Sequence, residues 1–322
     1  MIRLEDLRRI YASPQGTVTA VDRVSFEVRE GETCVLLGPS GCGKTTTLRM
    51  INRLVAPTSG KIFIAGRDTD TVDPVELRRG IGYVIQQIGL FPNMTVAENI
   101  GVVPRLMGWR AERRRARAEE LLSMLALPPG QFADRYPNEL SGGQAQRVGV
   151  ARALAVDPPV LLMDEPFAAL DPVNREAIQD QFLRMQQELR KTILFVSHDI
   201  DEAVKMADRI AIFNSGRLVQ FAAPDDLLAH PADAFVAGFV GSDRMLKRLR
   251  LIRVRDVMTA PESMALDANA PAVSPDDDLR RVASLFLERG VSSLRCVDAA
   301  GSVVGVVTSD AVSARLSSEK DT

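Results

Sequence analysis

A glycine-rich loop constrains this chain more than any other feature of its sequence. The stretch LLGPSGCGKTTTLRM, residues 36–50, has Gly38, Gly43, Lys44 and Thr45 at the spacing of a phosphate-binding P-loop. The apolar run TCVLL at its start predicts a buried parallel strand, and TTTLRMINRL after the glycines predicts a helix. Strand, glycine loop and helix are the context that the motif requires, so the sequence predicts an α/β fold with a parallel-sheet core.

The loop residues predict separate contacts with a nucleotide. Glycines allow successive backbone N–H groups to turn toward phosphate oxygens, and the helix N-terminus adds a partial positive charge. Lys44 supplies a full charge for the β- and γ-phosphates, and the Thr45 hydroxyl can bind Mg²⁺. Cys42 contributes only its backbone. The predicted phosphate contacts are Gly38, Pro39, Ser40, Gly41, Cys42, Gly43, Lys44, Thr45 and Thr46.

A second apolar run, VLLMDEP at 160–166, ends in two adjacent carboxylates. Asp164 at a strand end is placed to hold magnesium through water. Glu165 next to it can polarise an attacking water as a general base. The alternative is that Asp-Glu-Pro merely ends a strand. Beside a complete P-loop the catalytic interpretation is favoured.

Length and charge set the limits on other functions. The 322 residues predict two domains, and 46% hydrophobic residues are enough for substantial cores. Forty basic and 42 acidic residues give a net charge of -2, so the whole chain offers no cationic surface to nucleic acid or anionic lipid. Three cysteines without metal-type spacing fit a reducing cytosol. We expect no signal peptide, and no run approaches the roughly 20 apolar residues that span a bilayer.

The segment LSGGQAQRVGVARAL, residues 140–154, provides a second anion-binding helix N-terminus. Its predicted ligand contacts are Ser141, Gly142, Gly143 and Gln144. This segment resembles the signature motif of ATP-binding cassette (ABC) ATPases, and the resemblance extends over residues 1–240. In that family the signature of one subunit completes the ATP site of another, in a head-to-tail dimer. The resemblance therefore implies a homodimer that encloses two ATP with Mg²⁺.

The resemblance also assigns roles to residues outside these motifs. It implies that Tyr11 stacks on adenine and that Gln86, with Gln87 as the fallback, contacts the magnesium and senses the terminal phosphate. It implies that Ala169-Leu170-Asp171 is the D-loop, which crosses the dimer interface, and that His198 hydrogen-bonds the γ-phosphate. Plain packing remains the alternative for Tyr11, and a structural role remains the alternative for His198. Glu165, His198 and Lys44 are the expected catalytic residues.

The stretch WRAERRRARAEELLSMLAL predicts a helix with one apolar face and one arginine-rich face. The predicted buried residues are Leu121, Leu122, Met124 and Leu125, and the predicted outer residues are Arg110, Arg113, Arg114, Arg115 and Arg117. Interleaved glutamates and the lack of an aromatic series favour a solvated face over nucleic-acid binding. In ABC importers, such a helical subdomain is where membrane subunits dock.

The C-terminal part begins with a basic stretch, residues 241–258, whose cations could contact anionic headgroups. An ordinary solvated linker is the favoured alternative. Residues 253–316 are similar to a cystathionine-β-synthase (CBS) motif, with the order strand, helix, strand, turn, strand, helix. The predicted domains are an ABC ATPase domain with a helical subdomain at 1–240, a basic linker at 241–252 and a small α/β CBS-type domain at 253–322.

Two departures weaken a ligand role for the CBS-type domain. The family pairs two such motifs, and this chain has one, so the resemblance implies pairing with the second subunit's copy. Nucleotide-binding versions commonly carry an aspartate three positions after the threonine of GxxT. Here the residue three positions after Thr308 is Ala311, and the nearby Asp310 lies only two positions after it. Dimerisation or regulation is the favoured role.

The combination of an ABC ATPase, a CBS tail, VIQQIGLFPNMTVAENI and DRMLKRLRLIRV resembles the ATP-binding subunits of bacterial importers for osmoprotectants. These carry glycine betaine, carnitine, choline or proline betaine. The resemblance implies integral membrane permease subunits, a substrate-binding protein as an indirect partner, and a peripheral location at the cytoplasmic face of the inner membrane.

Other functions remain as alternatives. An importer for another small polar solute fits the same motifs. A soluble ABC ATPase acting on nucleic acid or the ribosome would usually show two cassettes or a long coiled-coil insertion, and an exporter would commonly have fused membrane spans. A CBS-type sensor with a vestigial ATPase is disfavoured by the complete catalytic set.

Overall fold

The computed structural model describes residues 1–14, 16–86, 89–168, 170–260 and 271–317. The chain forms two compact units that divide between residues 223 and 224. The sequence placed a boundary after residue 240 instead. The difference concerns residues 224–240, whose helices group with the second unit.

The strands belong to three sheets. In chain order they are β1 (Ile2–Ser13), β2 (Gly16–Val28), β3 (Thr33–Leu37), β4 (Ser59–Ile64), β5 (Arg67–Asp68), β6 (Ile81–Val84), β7 (Val160–Asp164), β8 (Thr192–Val196), β9 (Arg209–Asn214), β10 (Arg217–Ala222), β11 (Ala272–Val273), β12 (Ser293–Val297) and β13 (Val303–Thr308).

The helices connect these strands and cover their faces. In chain order they are α1 (Lys44–Ile51), α2 (Pro74–Arg79), α3 (Val96–Ile100), α4 (Val102–Leu106), α5 (Ala111–Met124), α6 (Pro129–Phe132), α7 (Gly142–Leu154), α8 (Pro172–Leu189), α9 (Ile200–Met206), α10 (Pro224–Ala229), α11 (Ala234–Val240), α12 (Arg244–Arg248), α13 (Leu279–Arg289) and α14 (Ser309–Ser317). Short 3₁₀ turns lie at Thr69–Thr71, Pro137–Glu139 and Val254–Asp256.

The central sheet of the first unit has the order β10-β9-β3-β8-β7-β6. All of its neighbouring strands run parallel except the β9–β10 pair. Every residue of β3, β7 and β8 is buried, as expected for strands covered on both faces. The predicted strands TCVLL and VLLMD are confirmed. Because β3, β7 and β8 are neighbours, the loops after their carboxyl ends meet at one edge of the sheet.

A second sheet of the first unit, in the order β2-β1-β4-β5, is antiparallel. Its apolar side chains share one hydrophobic core with β3, β7 and β8 and with α1. The helix predicted over TTTLRMINRL ends at Ile51, earlier than its apolar pattern suggested. Arg53 adopts a left-handed φ of 49°, which the helix cannot accommodate.

The arginine-rich helix is α5. Leu121, Leu122 and Leu125 are buried and Met124 is half-buried, which places the predicted apolar face on the core. On the outer face Arg115 pairs with Glu119 and Asp134, and Arg117 pairs with Glu120 and Asp157. Each of these two arginines therefore has acidic partners. Among the described residues, no helix is both long enough and apolar enough to cross a membrane.

The second unit contains the sheet β11-β12-β13 and the helices α10 to α14. Leu279 and Val282 of α13 are buried, and Leu285 and Phe286 pack against the same core. Between β11 and α14 the elements follow the predicted order. The Thr308 hydroxyl accepts a hydrogen bond from the Ala311 N–H, so this hydroxyl caps the first turn of α14.

The basic stretch at 241–258 is not simply an exposed linker. Lys247 of α12 is buried, and its Nζ donates to the Val240 carbonyl at 3.1 Å and to Asp243 at 2.7 Å. Arg248 is 1% exposed, and its Nε donates to Asp225 at 2.7 Å. Lys247 and Arg248, which belong to the stretch that could contact lipid headgroups, are thus buried in the unit and paired with acidic side chains.

Candidate nucleotide-binding and catalytic site

The P-loop leaves β3 and enters α1, as predicted. Gly38 has a φ of 147°, and a Cβ there would lie 2.2 Å from the Phe213 carbonyl oxygen. Gly43 has a φ of 104°, and a Cβ there would lie 2.4 Å from the Ala20 carbonyl oxygen. Both positions therefore require glycine. No side chain caps the N-terminus of α1, so its first N–H groups are not used by such a cap.

Lys44 lies inside this loop and is 6% exposed. Its Nζ donates to the carbonyls of Gly38 at 2.7 Å and Pro39 at 2.9 Å, and lies 3.7 Å from the Cys42 sulfur. The loop carbonyls thus hold the ammonium group within the curve of the loop. A phosphate there would meet a full positive charge.

The other predicted P-loop contacts fall into two groups. Pro39, Ser40 and Gly41 are exposed at the rim, while Cys42 and Gly43 are buried beneath them. Thr45 and Thr46 are half-buried in the first turn of α1. The Cys42 thiol is therefore covered, as expected for a position that contributes backbone.

Thr45 and Asp164 converge from two different elements. The Thr45 hydroxyl donates to Asp164 Oδ1 at 2.9 Å, which joins the start of α1 to the end of β7. Asp164 is 2% exposed, and burial raises the pKa of its carboxyl. A hydroxyl and a carboxylate this close supply the hard oxygen donors that Mg²⁺ prefers.

Glu165 follows Asp164 with a φ of 47°, and its N–H donates to the Val196 carbonyl at 3.1 Å. Its Oε2 accepts a hydrogen bond from Gln86 Nε2 at 2.9 Å and lies 3.7 Å from His198 Nδ1. The segments after β6, β7 and β8 thus bring three predicted catalytic or sensing side chains together. Gln87, the fallback for Gln86, lies outside the described residues.

The signature segment begins α7, as predicted. Ser141 is the N-cap: its Oγ accepts from the Gln144 N–H at 3.4 Å, and Gln144 Oε1 accepts from the Ser141 N–H at 2.9 Å. A concave surface is lined by Ser141, Gly142, Gly143 and Gln144, together with Leu170 and Asp171. None of its described lining residues comes from the P-loop. The second anion-binding helix N-terminus therefore faces a separate opening.

Tyr11 lies on β1 opposite Val18 of β2, and its side chain is 38% exposed. The guanidinium of Arg9 lies over its ring, 4.4 Å from the ring centre. The adenine role of Tyr11 stays a prediction. Of the predicted D-loop, Leu170 is buried and Asp171 is exposed, while Ala169 lies outside the described residues.

Two polar side chains near these motifs were not predicted from the sequence. Asn99 is fully buried; its Oδ1 accepts from the Phe91 N–H, and its Nδ2 donates to the carbonyls of Phe91, Met94 and Thr95. Arg147 of α7 donates to the carbonyls of Leu125 and Ala126, just after the end of α5. A polar residue at an otherwise buried helix position was the only available signal for either role.

Comparison with known proteins agrees with these motifs. The family model described as ABC transporter matches residues 21–168, and the CBS domain model matches residues 254–318. The osmoprotectant import ATP-binding protein OsmV of Salmonella typhimurium is 58% identical, over 88% of this chain and 75% of that protein.

This chain belongs to the ABC transporter family. It is an ABC-type ATPase with a C-terminal CBS domain. The glycine betaine/carnitine/choline transport ATP-binding protein OpuCA of Bacillus subtilis is 48% identical, over 95% of this chain and 78% of that protein. The glycine betaine uptake system ATP-binding protein YehX of Escherichia coli is 45% identical, over 91% of this chain and 94% of that protein.

Solved structures share the ABC fold. A dimeric post-hydrolysis structure of the ATP-binding cassette MJ0796, bound to ADP and Pi, has a TM-score of 0.63 and 38% identity. It covers 69% of this chain and 98% of that cassette. CbiO1 of Clostridium perfringens, part of the transporter complex cbiONQ, has a TM-score of 0.66 and 27% identity over 78% of this chain and 94% of that protein.

Proposed function

We propose that this chain is the ATP-hydrolysing subunit of an importer for osmoprotectants such as glycine betaine, carnitine or choline. The carrying observation is the convergence of Gln86, Glu165 and His198 beside the P-loop in a chain so similar to named osmoprotectant import subunits. A complete catalytic set supports active hydrolysis over a vestigial site. The relatives are named as ATP-binding proteins of import and transport systems, so we assign recognition of the solute to other subunits.

Magnesium is the ion that the donors beside the P-loop suit best. Thr45, Asp164 and Gln86 would hold it, and it would neutralise charge on the transferring phosphoryl group. Among the described residues, no group of three or more histidine, cysteine, aspartate or glutamate side chains could hold a metal.

The protein groups act by position and charge. Lys44 neutralises the β- and γ-phosphates, and the P-loop N–H groups orient them. Glu165, held by Gln86, accepts a proton from the attacking water. His198, whose Nδ1 lies 3.7 Å from the same Glu165 oxygen, donates a hydrogen bond to the γ-phosphate. Tyr11 stacks on the adenine, with the Arg9 guanidinium on its other face.

Two copies of the chain complete each ATP site. The signature and Asp171 line an opening away from the P-loop, so a second, head-to-tail copy is needed to bring Ser141 to a γ-phosphate. The cassette MJ0796, with 38% identity, has been solved as a dimer. Closure around two ATP then drives the transport cycle, and hydrolysis reopens the pair.

Membrane permease subunits are the second class of partner. The relatives are named as import subunits, and this chain would act at the cytoplasmic face of the cell membrane through its permease. The helical region from α3 to α7 is the proposed docking side. A substrate-binding protein acts indirectly by delivering solute to that permease.

The domain proposed at 253–322 has a dimerisation or regulatory role. Its single CBS motif pairs with the copy in the second subunit. The Thr308 hydroxyl already caps α14, and Ala311 offers no carboxylate to a ribose, which favours this role over nucleotide binding.

Uptake of radiolabelled glycine betaine at high osmolarity tests the transport role. A strain lacking this chain should recover uptake with the wild-type protein but not with Glu165→Gln, while both proteins accumulate to the same level. Normal uptake in the deletion strain would contradict the proposal. If the wild-type protein restored uptake of another solute and not of betaine, the importer would be assigned to that other solute.

A further inference from the structure

Arg175 reaches two segments of the proposed ATP site. It lies in the first turns of α8, and its Nη2 donates to the Leu170 carbonyl at 3.0 Å. Its Nη1 lies 3.7 Å from Asp199 Oδ2. Leu170 precedes the D-loop Asp171, and Asp199 follows His198. One side chain therefore reaches the dimer-facing loop and the segment of the switch histidine.

Arg175 lies beside the predicted catalytic residues Glu165 and His198. A small cavity there is lined by Glu165, Ser197, His198, Asp199, Glu202 and Arg175 itself. The Arg175 Nε is buried and has no hydrogen-bond partner among the described residues.

The two contacts of Arg175 are unequal. The bond to the Leu170 carbonyl is of ordinary length, while 3.7 Å to Asp199 is too long for a hydrogen bond. Asp199 is itself anchored, because its Oδ1 accepts from the Asp201 N–H at 2.8 Å and caps α9. Its Oδ2 is the atom nearest Arg175. A guanidinium presents several donors in a rigid fork, so a small shift can bring a second donor onto this carboxylate.

We infer that Arg175 is a positioning residue that couples the D-loop to the segment carrying His198. The inference rests on the proposed dimeric ATP site. When a second copy engages the D-loop, the Leu170 carbonyl moves the guanidinium, and the guanidinium closes onto Asp199. That closure holds the adjacent His198 beside Glu165. Hydrolysis is then fast only after the two copies have closed.

Steady-state ATPase kinetics of the full-length chain provide the first test. Arg175→Ala should lower kcat about tenfold, as expected for loss of a coupling contact, and leave the ATP dissociation constant within about twofold. Arg175→Lys keeps the charge but loses the forked donors of the guanidinium, so its kcat should lie between that of wild type and that of Arg175→Ala. Arg184→Ala is the matched control, because Arg184 is exposed on the same helix.

A second measurement separates positioning from plain support of the structure. Asp199→Asn keeps an oxygen for capping α9 but removes the charge, and it should lower kcat like Arg175→Ala. The double variant should fall no further, because both changes break one link. In the Glu165→Gln background, Arg175→Ala should leave ATP-driven dimerisation intact in size-exclusion chromatography.

Failure of the Arg175 coupling and failure of the proposed dimeric ATP site would give different results. Equal kcat for Arg175→Ala and Arg184→Ala would overturn the coupling, as would multiplicative losses in the double variant. Loss of ATP-driven dimers in Glu165→Gln/Arg175→Ala alone would make Arg175 a structural support of the interface. If Glu165→Gln itself failed to dimerise with ATP, the proposed dimeric site would fail, and the coupling with it.

Discussion

Gln86 Nε2 donates a hydrogen bond to Glu165 Oε2 at 2.9 Å. The same oxygen lies 3.7 Å from His198 Nδ1. The carboxylate is thereby oriented by the segment after β6 and faces the segment after β8. Gln86 is 79 positions before Glu165 in the chain and His198 is 33 positions after it. The catalytic geometry therefore exists only once the sheet has folded and brought these segments together.

Replacing Glu165 with glutamine should separate binding from turnover. The amide keeps the size of the side chain and an oxygen for Gln86, but it cannot take a proton from water. We expect an unchanged ATP dissociation constant and a kcat at least about 100-fold lower. Isothermal titration and a phosphate-release assay measure the two quantities. Glu188→Gln, exposed on α8, is the control, and hydrolysis near the wild-type rate in Glu165→Gln would remove Glu165 from the role.

Replacing Lys44 with alanine should remove nucleotide affinity itself. The ammonium is the full positive charge within the loop, and its loss also leaves the Gly38 and Pro39 carbonyls without that donor. We expect the dissociation constant for ATP to rise about 100-fold or more. Lys61→Ala, an exposed lysine paired with Asp68, should bind ATP normally. An unaltered affinity in Lys44→Ala would rule out the phosphate site described above.

A methyl group at Gly43 should distort the P-loop. It would lie 2.4 Å from the Ala20 carbonyl oxygen, at a φ of 104° that side chains rarely adopt. We expect about 1–3 kcal/mol of lost stability together with weaker ATP binding. Thermal unfolding and titration detect both. Gly130→Ala is the control, since a Cβ there meets nothing within 4 Å, and equal melting temperatures of the two variants would refute the steric requirement.

The buried carboxyl of Glu202 gives a pH-dependent prediction. Burial raises its pKa above the ordinary value of 4.5, although hydrogen bonds from Ser197 and Gln179 oppose the shift. Between the ordinary and the raised pKa, the folded chain holds more protons than the unfolded chain, so this group destabilises the fold increasingly as pH rises through that window. Glu202→Gln should therefore unfold at a higher temperature than wild type at pH 7 to 8.

The stability advantage of Glu202→Gln should shrink as pH falls toward 4.5, because the wild-type carboxyl is then protonated. Melting temperatures at several pH values measure this convergence. Glu188→Gln, on the surface, should show no such trend. An advantage that grows on acidification would contradict the assigned cause of the shift.

The parts of the site that were predictable from the sequence are those with local patterns. The P-loop, the strand ending at Asp164 and the helix N-terminus at Ser141 each depend on a few consecutive residues. Arg175 and Asp199, by contrast, are brought together by the packing of α8 against the loop after β8, which no local pattern encodes. The burial of Arg248 likewise depends on a partner, Asp225, that lies 23 positions earlier.

The central claim is that one chain's P-loop works with another chain's signature. Lys44→Ala inactivates the P-loop half of each ATP site, and Ser141→Arg inactivates the signature half. Neither protein alone should hydrolyse ATP. Mixed dimers would contain one site with an intact P-loop from the Ser141→Arg chain and an intact signature from the Lys44→Ala chain. We predict that mixing equal amounts restores activity to roughly a quarter of wild type, as random pairing of two copies requires. No recovery on mixing, or full activity of Ser141→Arg alone, would contradict the claim.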